Sequence, residues 1–322
     1  MVKHPAPTDK PLIVLAGPTA SGKTALAIHL AEQFNGEIVS CDSVAVYREM
    51  EIGTAKPSYE ERALVQHHMI DIAWPNEPCT AGDYSRLARE ALSGITQRRR
   101  LPIVAGGTGL YLRALIDGLF PAPPQQPELR DRLRQRAAER GSAHLHRILT
   151  RLDIAAAAAI HINDVPKIIR AIEVSLIARQ PLTQQWEKGR DKLTGYNILR
   201  IGLNPPRPLL YERINQRAAA MFDRGLIEET ERLIERYGTD CRPLTSLGYA
   251  EASAVLRNEL TREQAVAQAQ QGHRNYAKRQ LTWFRREPQL HWLKGCGSDE
   301  AIILQACELV ARHLNESQPF TS

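Results

Sequence analysis

The chain has 322 residues, 43% hydrophobic and 24% charged, which is ordinary for a soluble globular protein of one large domain or two modest ones. Its 20 Gly and 20 Pro follow no repeat period, which excludes collagenous and solenoid architectures, and no apolar run approaches the ~20 residues of a membrane span. The 42 Lys and Arg against 36 Asp and Glu leave a net charge of +6, compatible with a nucleic-acid partner without establishing one.

The five cysteines (Cys41, Cys79, Cys241, Cys296 and Cys307) form no C-x-x-C pair, so zinc-finger and redox motifs are excluded and free thiols of a reducing cytosol are expected. The opening from Met1 to Lys10 is polar and proline-containing, with no signal-peptide core. A cytoplasmic protein with no membrane association is the expectation.

Residues 11–16 read as a buried strand and 23–34 as its helix. Between them lies Gly17-Pro18-Thr19-Ala20-Ser21-Gly22-Lys23-Thr24, which matches the phosphate-binding pattern G-x-x-x-x-G-K-[ST] in the strand–loop–helix context it needs. The glycines let backbone N–H groups turn inward, the helix start adds a positive end, and Lys23 adds a full charge. The Thr24 hydroxyl suits a magnesium ion. The loop is therefore built for a polyphosphate, but it does not say what that polyphosphate carries.

A second strand, Gly36–Cys41, ends at Asp42-Ser43. Parallel sheets hold ligands at the carboxyl ends of their strands, so Asp42 falls at the ligand edge; the alternative is a turn cap. Residues 44–57 form a long irregular loop in which Tyr47, Arg48 and Lys56 either meet substrate or only solvate the loop. His67 to Ile72 reads as a strand whose adjacent histidines face opposite ways, a poor metal pair.

Thr80 is a candidate cap for a helix extending to Arg100. The strand Leu101–Ala105 ends in Gly106-Gly107-Thr108-Gly109, where Thr108 either bonds substrate or caps the next helix, 110–115. Four prolines between Pro121 and Pro127 mark a stiff boundary. Beyond it the pattern is helical, and Arg130 to Arg151 holds seven arginines against Asp131 and Glu139. These either solvate outer faces or meet nucleic acid.

Tyr196 to Leu203 returns to the sheet. A helix from Leu209 to Gly225 then places Arg213 and Arg217 on one face, with Arg207 nearby, able to reach diphosphate oxygens or to stand as an exposed row. His273 to Arg286 carries basic residues interleaved with Tyr276, Gln280 and Trp283, suited to nucleic-acid contact or to an amphipathic helix with its aromatics in the core. After Ser298 one more helix and a frayed end are expected.

Taken together, these motifs resemble the tRNA dimethylallyltransferases, the bacterial isopentenyltransferases of tRNA. The resemblance rests on GPTASGKT at 17–24, DSVAVYREMEIGTAKP at 42–57, HHMIDI at 67–72 and GGTGLYLRAL at 106–115. It continues through DVPKIIRAIEV at 164–174, LYERINQR at 210–217, LGY at 247–249 and NYAKRQLTWFR at 275–285, spanning almost the whole chain in order. Ala45, Lys167 and Ala250 depart from residues common in relatives, and the zinc-finger extension of eukaryotic forms is missing.

The resemblance implies an α/β fold, a P-loop NTPase-like parallel sheet flanked by helices with a helical insertion. Residues 1–120 plus 196–322 would form the catalytic core and 121–195 the insertion, which would grip the anticodon stem. The implied reaction moves a dimethylallyl group from dimethylallyl diphosphate to the exocyclic amine of the adenosine just 3′ of the anticodon, with Mg²⁺ as cofactor. Gly17 to Thr24 and Arg217 would hold the diphosphate, with Thr24 toward the metal. Asp42 would take the amine proton and Thr108 would help position the amine or the diphosphate. Matching tRNA-contact positions are Asp42, Ser43, Val44, Ala45, Thr108 and Arg130, together with the run Pro166, Lys167, Ile168, Ile169 and Arg170. Two further runs match: Thr245, Ser246, Leu247, Gly248, Tyr249 and Ala250; and Arg274, Asn275, Tyr276, Ala277, Lys278, Arg279, Gln280 and Leu281. A monomer is expected. The competing readings are an adenylate isopentenyltransferase acting on free AMP, ADP or ATP, a P-loop kinase or ATPase, and a non-catalytic RNA-binding protein.

Overall fold

The computed structural model describes residues 9–187 and 189–317. The polar opening before Asp9 and the end of the tail after Ser317 lie outside the described residues. The chain divides into two compact units: one runs to Ile116 and resumes at Leu193, and the other spans Asp117–Lys192.

The first unit is built on a parallel sheet. Its strands are β1 (Lys10–Ala16), β2 (Gly36–Cys41), β3 (His67–His68), β4 (Leu101–Gly106), β5 (Tyr196–Leu203) and β6 (Leu290–Leu293). They pair in the order β3-β2-β4-β1-β5-β6, every pair parallel. β1 sits centrally, with Val14 beside Val104 of β4 and Arg200 of β5.

Alternation along β1 feeds two cores, because successive side chains point to opposite faces. Leu12 and Val14 join a cluster with Tyr84, Leu92, Leu115 and Phe284. Ile13 and Leu15 pack with Leu26, Leu30, Ile302 and Val310 on the other face. These four β1 side chains are at most 1% exposed, and burial of each is worth roughly 1.5–3 kcal/mol. Rigid strand ends are the result, and the strand ends carry the site.

Helices α1 (Lys23–Gln33), α2 (Tyr59–Leu64), α3 (Ala81–Gln97) and α4 (Gly109–Ile116) alternate with the first strands. Thr80 caps α3 as its spacing predicts, forming a reciprocal capping box with Asp83. The strand expected over 67–72 pairs only at His67–His68, because Met69 and Asp71 take positive φ of 64° and 57° and break the ladder. The two histidines face apart: His68 Nε2 meets Glu37 Oε2 at 2.7 Å and His67 Nδ1 meets the Val65 carbonyl at 2.8 Å.

The second unit is helical, comprising α5 (Pro127–Arg140), α6 (Ser142–Leu152), α7 (Ile154–Ala159), α8 (Val165–Ala178) and α9 (Leu182–Glu187). Leu133, Leu145, Leu149, Ile168 and Ile172 form its core. After the return through β5 come α10 (Arg207–Asp223), α11 (Leu226–Tyr237), a short 3-10 turn at Arg242–Thr245, α12 (Tyr249–Leu256), α13 (Arg262–Phe284) and α14 (Glu300–Ser317). No helix among the described residues is long and apolar enough to cross a membrane.

Candidate active site

The carboxyl ends of β1, β2 and β4 open into a cavity of about 680 Å³. The phosphate loop, Asp42, the Gly106-Gly107 turn, and Arg213, Arg217, Tyr276 and Gln280 from α10 and α13 line it.

The loop after β1 is held from several sides. Gly22 takes φ 85° as the N-cap of α1, a left-handed conformation that favours glycine. A side chain there would also strike the Gly297 backbone, whose N–H donates to the Ser21 carbonyl at 2.8 Å. Ala20 sits at φ 62°, and its carbonyl accepts a hydrogen bond from Arg213 Nε at 3.1 Å. The Pro18 carbonyl accepts from Lys23 Nζ at 2.7 Å. Arg217 donates to the Thr19 hydroxyl. The Ser21 hydroxyl is buried with no hydrogen-bond partner among the described residues.

Two cations thus share one end of the cavity. Burial, then the neighbouring Arg217 charge, push the Lys23 ammonium down to about 7, with Asp42 opposing. Burial also lowers Arg217, again against Asp42. An anionic ligand reverses both costs by supplying the counter-charge that these cations lack.

Asp42 leaves β2 at that same edge. Its Oδ1 accepts the Val44 N–H at 2.8 Å and the Ala45 N–H at 3.2 Å, so the carboxylate does cap the following turn. Oδ2 makes no hydrogen bond among the described residues, and Asp42 lines the cavity. Oδ1 fixes the orientation and Oδ2 keeps its hydrogen-bonding capacity, so a turn cap and a ligand contact are compatible roles for Asp42.

The Thr108 carbonyl accepts the Leu112 N–H at the start of α4, while its side chain turns to β2. Its hydroxyl accepts the Ser43 N–H at 3.1 Å and donates to the Ser43 hydroxyl at 3.4 Å, tying β4 to β2. Tyr276 approaches from α13; burial and the Asp42 charge push its phenol up to about 12, against a hydrogen bond with Thr108.

Gln280 joins the two ligand-edge turns. Its Oε1 accepts the Thr19 N–H at 2.8 Å and its Nε2 donates to the Gly107 carbonyl at 2.9 Å. A Cβ at position 107 would lie 2.1 Å from that amide nitrogen, which explains the glycine. Only 5% of Gln280 is exposed, and both ends of its amide are engaged within the protein.

Other candidates are engaged by neighbouring groups of the protein. Arg207 stacks on Tyr211, 5.1 Å from its ring centroid, and lines a different groove from Arg213 and Arg217. Lys56 Nζ is committed to Asp71 Oδ1 at 2.5 Å and the Tyr47 carbonyl at 2.7 Å, while Arg48 donates to the Asp71 carbonyl. Tyr47 is buried. Loop 44–57 is therefore folded on itself, with Lys56 bracing the cavity wall.

Among the residues matched to tRNA contacts, Ala45, Ile168, Ile169, Tyr249 and Ala277 have side chains buried in the protein. Tyr249 donates to Glu229 Oε1 at 2.6 Å. Glu229 also accepts the N–H groups of Glu51, Ile52 and Gly53, which anchors the loop beside the cavity. Arg130 and Arg170 both bond the buried Glu173, at 3.0 and 2.6 Å. Burial raises that carboxyl, but Arg170, the Gln126 N–H and the two arginine charges outweigh it and hold it below the usual range. Lys167 pairs with Asp164 at 2.5 Å. Arg274 bonds Asn215, the Ser246 hydroxyl bonds the Pro243 carbonyl, and the Gly248 N–H bonds Glu251. Leu247, Ala250 and Leu281 are half-buried, whereas Pro166, Thr245, Asn275, Lys278 and Arg279 are exposed.

Among the described residues, no group of three or more His, Cys, Asp or Glu side chains is placed to hold a metal ion. A phosphate-bound magnesium needs less, one or two protein oxygens with phosphate and water completing the shell. The exposed Thr24 hydroxyl, which makes no hydrogen bond among the described residues, fits that demand. All five cysteines are free thiols.

The sequence marks neither Gln280 as a brace nor Glu229 as a loop anchor. Their partners lie 261 and 177 residues away for Thr19 and Ile52, and no local pattern announces such pairs.

Comparison with known proteins fits this geometry. A family model described as IPP transferase matches residues 45–287, and one described as isopentenyl transferase matches 11–72. A tRNA dimethylallyltransferase of Koribacter versatilis is 62% identical over 94% of this chain and 99% of its own. That of Solibacter usitatus is 50% identical over 95% of this chain and 100% of its own. Among solved structures, the tRNA isopentenylpyrophosphate transferase of Bacillus halodurans is 37% identical with a TM-score of 0.70, covering 96% of this chain and 98% of that one. The chain therefore belongs to the IPP transferase family, that of the tRNA dimethylallyltransferases.

Proposed function

We propose that this enzyme moves the dimethylallyl group of dimethylallyl diphosphate to the N6 amine of the adenosine just 3′ of the anticodon in tRNA. The observation that carries this reading is one cavity with opposite equipment at its walls. Lys23, Arg217 and the phosphate loop line it together with Asp42, whose Oδ2 makes no hydrogen bond among the described residues.

The bond from the prenyl carbon to the diphosphate oxygen breaks, and its electron pair leaves with diphosphate. Lys23, Arg217 and the loop N–H groups stabilise the charge that develops there. N6 forms the new bond to carbon, and its proton passes to Asp42 Oδ2. Thr108 and Tyr276 sit beside Asp42 and position the amine. A magnesium ion held through Thr24 and the diphosphate oxygens would supply further charge neutralisation to the leaving group. The adenine must leave its stack to reach this cavity.

The second unit supplies a surface for the RNA stem. Arg136, Arg140, Arg147 and Arg151 surround His144, whose pKa burial and these charges lower. Arg130 and Arg170, both bound to Glu173, shape this unit from within. We infer a monomeric cytoplasmic enzyme.

The test gives purified protein Mg²⁺ and dimethylallyl diphosphate labelled in the prenyl group, with unmodified tRNA, with AMP or with ATP. Label in the tRNA supports the proposal. Label in AMP alone, or no transfer while ATP is consumed, refutes it.

A further inference from the structure

A second groove lies on the same carboxyl edge of the sheet, beyond β5 and β6, with a volume of about 710 Å³. Asn204 follows the last residue of β5 and Lys294 follows the last residue of β6, so both enter the groove from strand ends. α10 and α13 form its other walls.

Its charge is one-sided. Arg207, Lys278, Arg285 and Lys294 line it, and no Asp or Glu does. All four are exposed, and none makes an ion pair among the described residues. The start of α10 opens here too, with no side-chain cap on its first N–H groups, which adds the positive end of the helix. Tyr211 lines the groove with its ring under the Arg207 guanidinium, 5.1 Å from the ring centroid. Four cations without ion pairs among the described residues and an uncapped helix start are complementary to phosphate.

The groove is coupled in position to the reaction cavity. α10 presents Arg207 and Tyr211 to the groove and Arg213 and Arg217 to the cavity. Arg207 precedes Arg213 by six residues, about 9 Å along a helix axis. α13 likewise turns Lys278 and Arg285 to the groove, and Tyr276 and Gln280 to the cavity.

We propose that this groove binds the phosphodiester backbone of the substrate RNA next to the nucleotide whose base enters the cavity. The proposal rests on tRNA being the acceptor. Phosphate contacts position a nucleic acid without reading its bases, so the groove orients the strand while the cavity selects the adenine. An RNA strand suits an open groove of dispersed cations better than a small diphosphate, for which the glycine loop already supplies a tight cradle.

The test compares wild type with Arg285→Ala and Lys294→Ala, singly and together, after confirming unchanged thermal unfolding. Binding of unmodified tRNA is measured across salt concentrations, and steady-state transfer is measured against each substrate. The double variant should bind tRNA roughly tenfold more weakly, with the slope of log K against log salt reduced by about 1 to 2. The loss should fall on KM for tRNA, leaving kcat and KM for dimethylallyl diphosphate as in wild type, and Arg285→Lys should restore binding. Unchanged tRNA affinity and slope, with wild type still active on tRNA, overturns the groove alone. A raised KM for dimethylallyl diphosphate with normal tRNA binding assigns the groove to the small substrate and also overturns it. A wild type that transfers nothing to tRNA removes the proposed function itself.

Discussion

Binding of the diphosphate donor should take up a proton, and Lys23 is the group that receives it. In the free protein, burial and the Arg217 charge push its ammonium down to about 7. At pH 8 about nine-tenths of the free protein therefore carries a neutral Lys23, and at pH 6 about one-tenth does. A bound diphosphate supplies the missing counter-charge, raises the pKa and restores the proton. The sign follows from linkage: the liganded state binds more protons, so affinity falls as pH rises through about 7. The slope of log K against pH approaches −1 above that value, until the raised pKa of the complex is reached. Calorimetry with a non-transferable analogue of dimethylallyl diphosphate, in buffers of different ionisation enthalpy, reads the uptake directly. Lys23→Arg keeps a permanent charge, so the difference between the two proteins isolates Lys23 from the ligand's own protonation. That difference should grow from about 0.1 proton at pH 6 to about 0.9 at pH 8. Equal uptake by both proteins at pH 8 would refute the argument, because Lys23 would then already be charged in the empty site.

Three further outcomes follow from the site. Asp42→Asn retains an Oδ1 acceptor for the Val44 and Ala45 N–H groups, so tRNA binding should persist while transfer slows about a hundredfold or more; a parallel loss of both would make Asp42 a structural residue only. Gln280→Ala strands the Thr19 N–H and the Gly107 carbonyl, which should cost about 1–3 kcal/mol per unpaired group and raise KM for the donor; an unchanged melting temperature and KM would show that the brace is dispensable. Tyr249→Phe removes a buried hydrogen bond to Glu229, so stability should drop by about 1 kcal/mol with tRNA affinity unchanged; weaker tRNA binding at full stability would show that the tyrosine meets RNA after all.

Much of the site was legible before the fold because its chemistry is local. The phosphate loop needs strand, glycines, lysine and hydroxyl within a few consecutive residues, and backbone geometry links that spacing to one shape. Asp42 and the Gly106-Gly107-Thr108-Gly109 turn are each marked by a strand end, and strand ends of a parallel sheet share an edge. The helical pattern after the prolines was visible for the same reason, since periodicity reports burial on one face. The tertiary structure decided which polar groups remain available. Arg130, Arg170, Lys56 and Gln280 look alike in the sequence as donors for a ligand, yet Glu173, Asp71 and the two ligand-edge turns engage them. Arg207 and Arg213 look like one row, yet the turn of α10 sends them to different cavities. A side chain's free hydrogen-bonding capacity depends on partners that can lie hundreds of residues away, and only the folded chain brings those partners into contact.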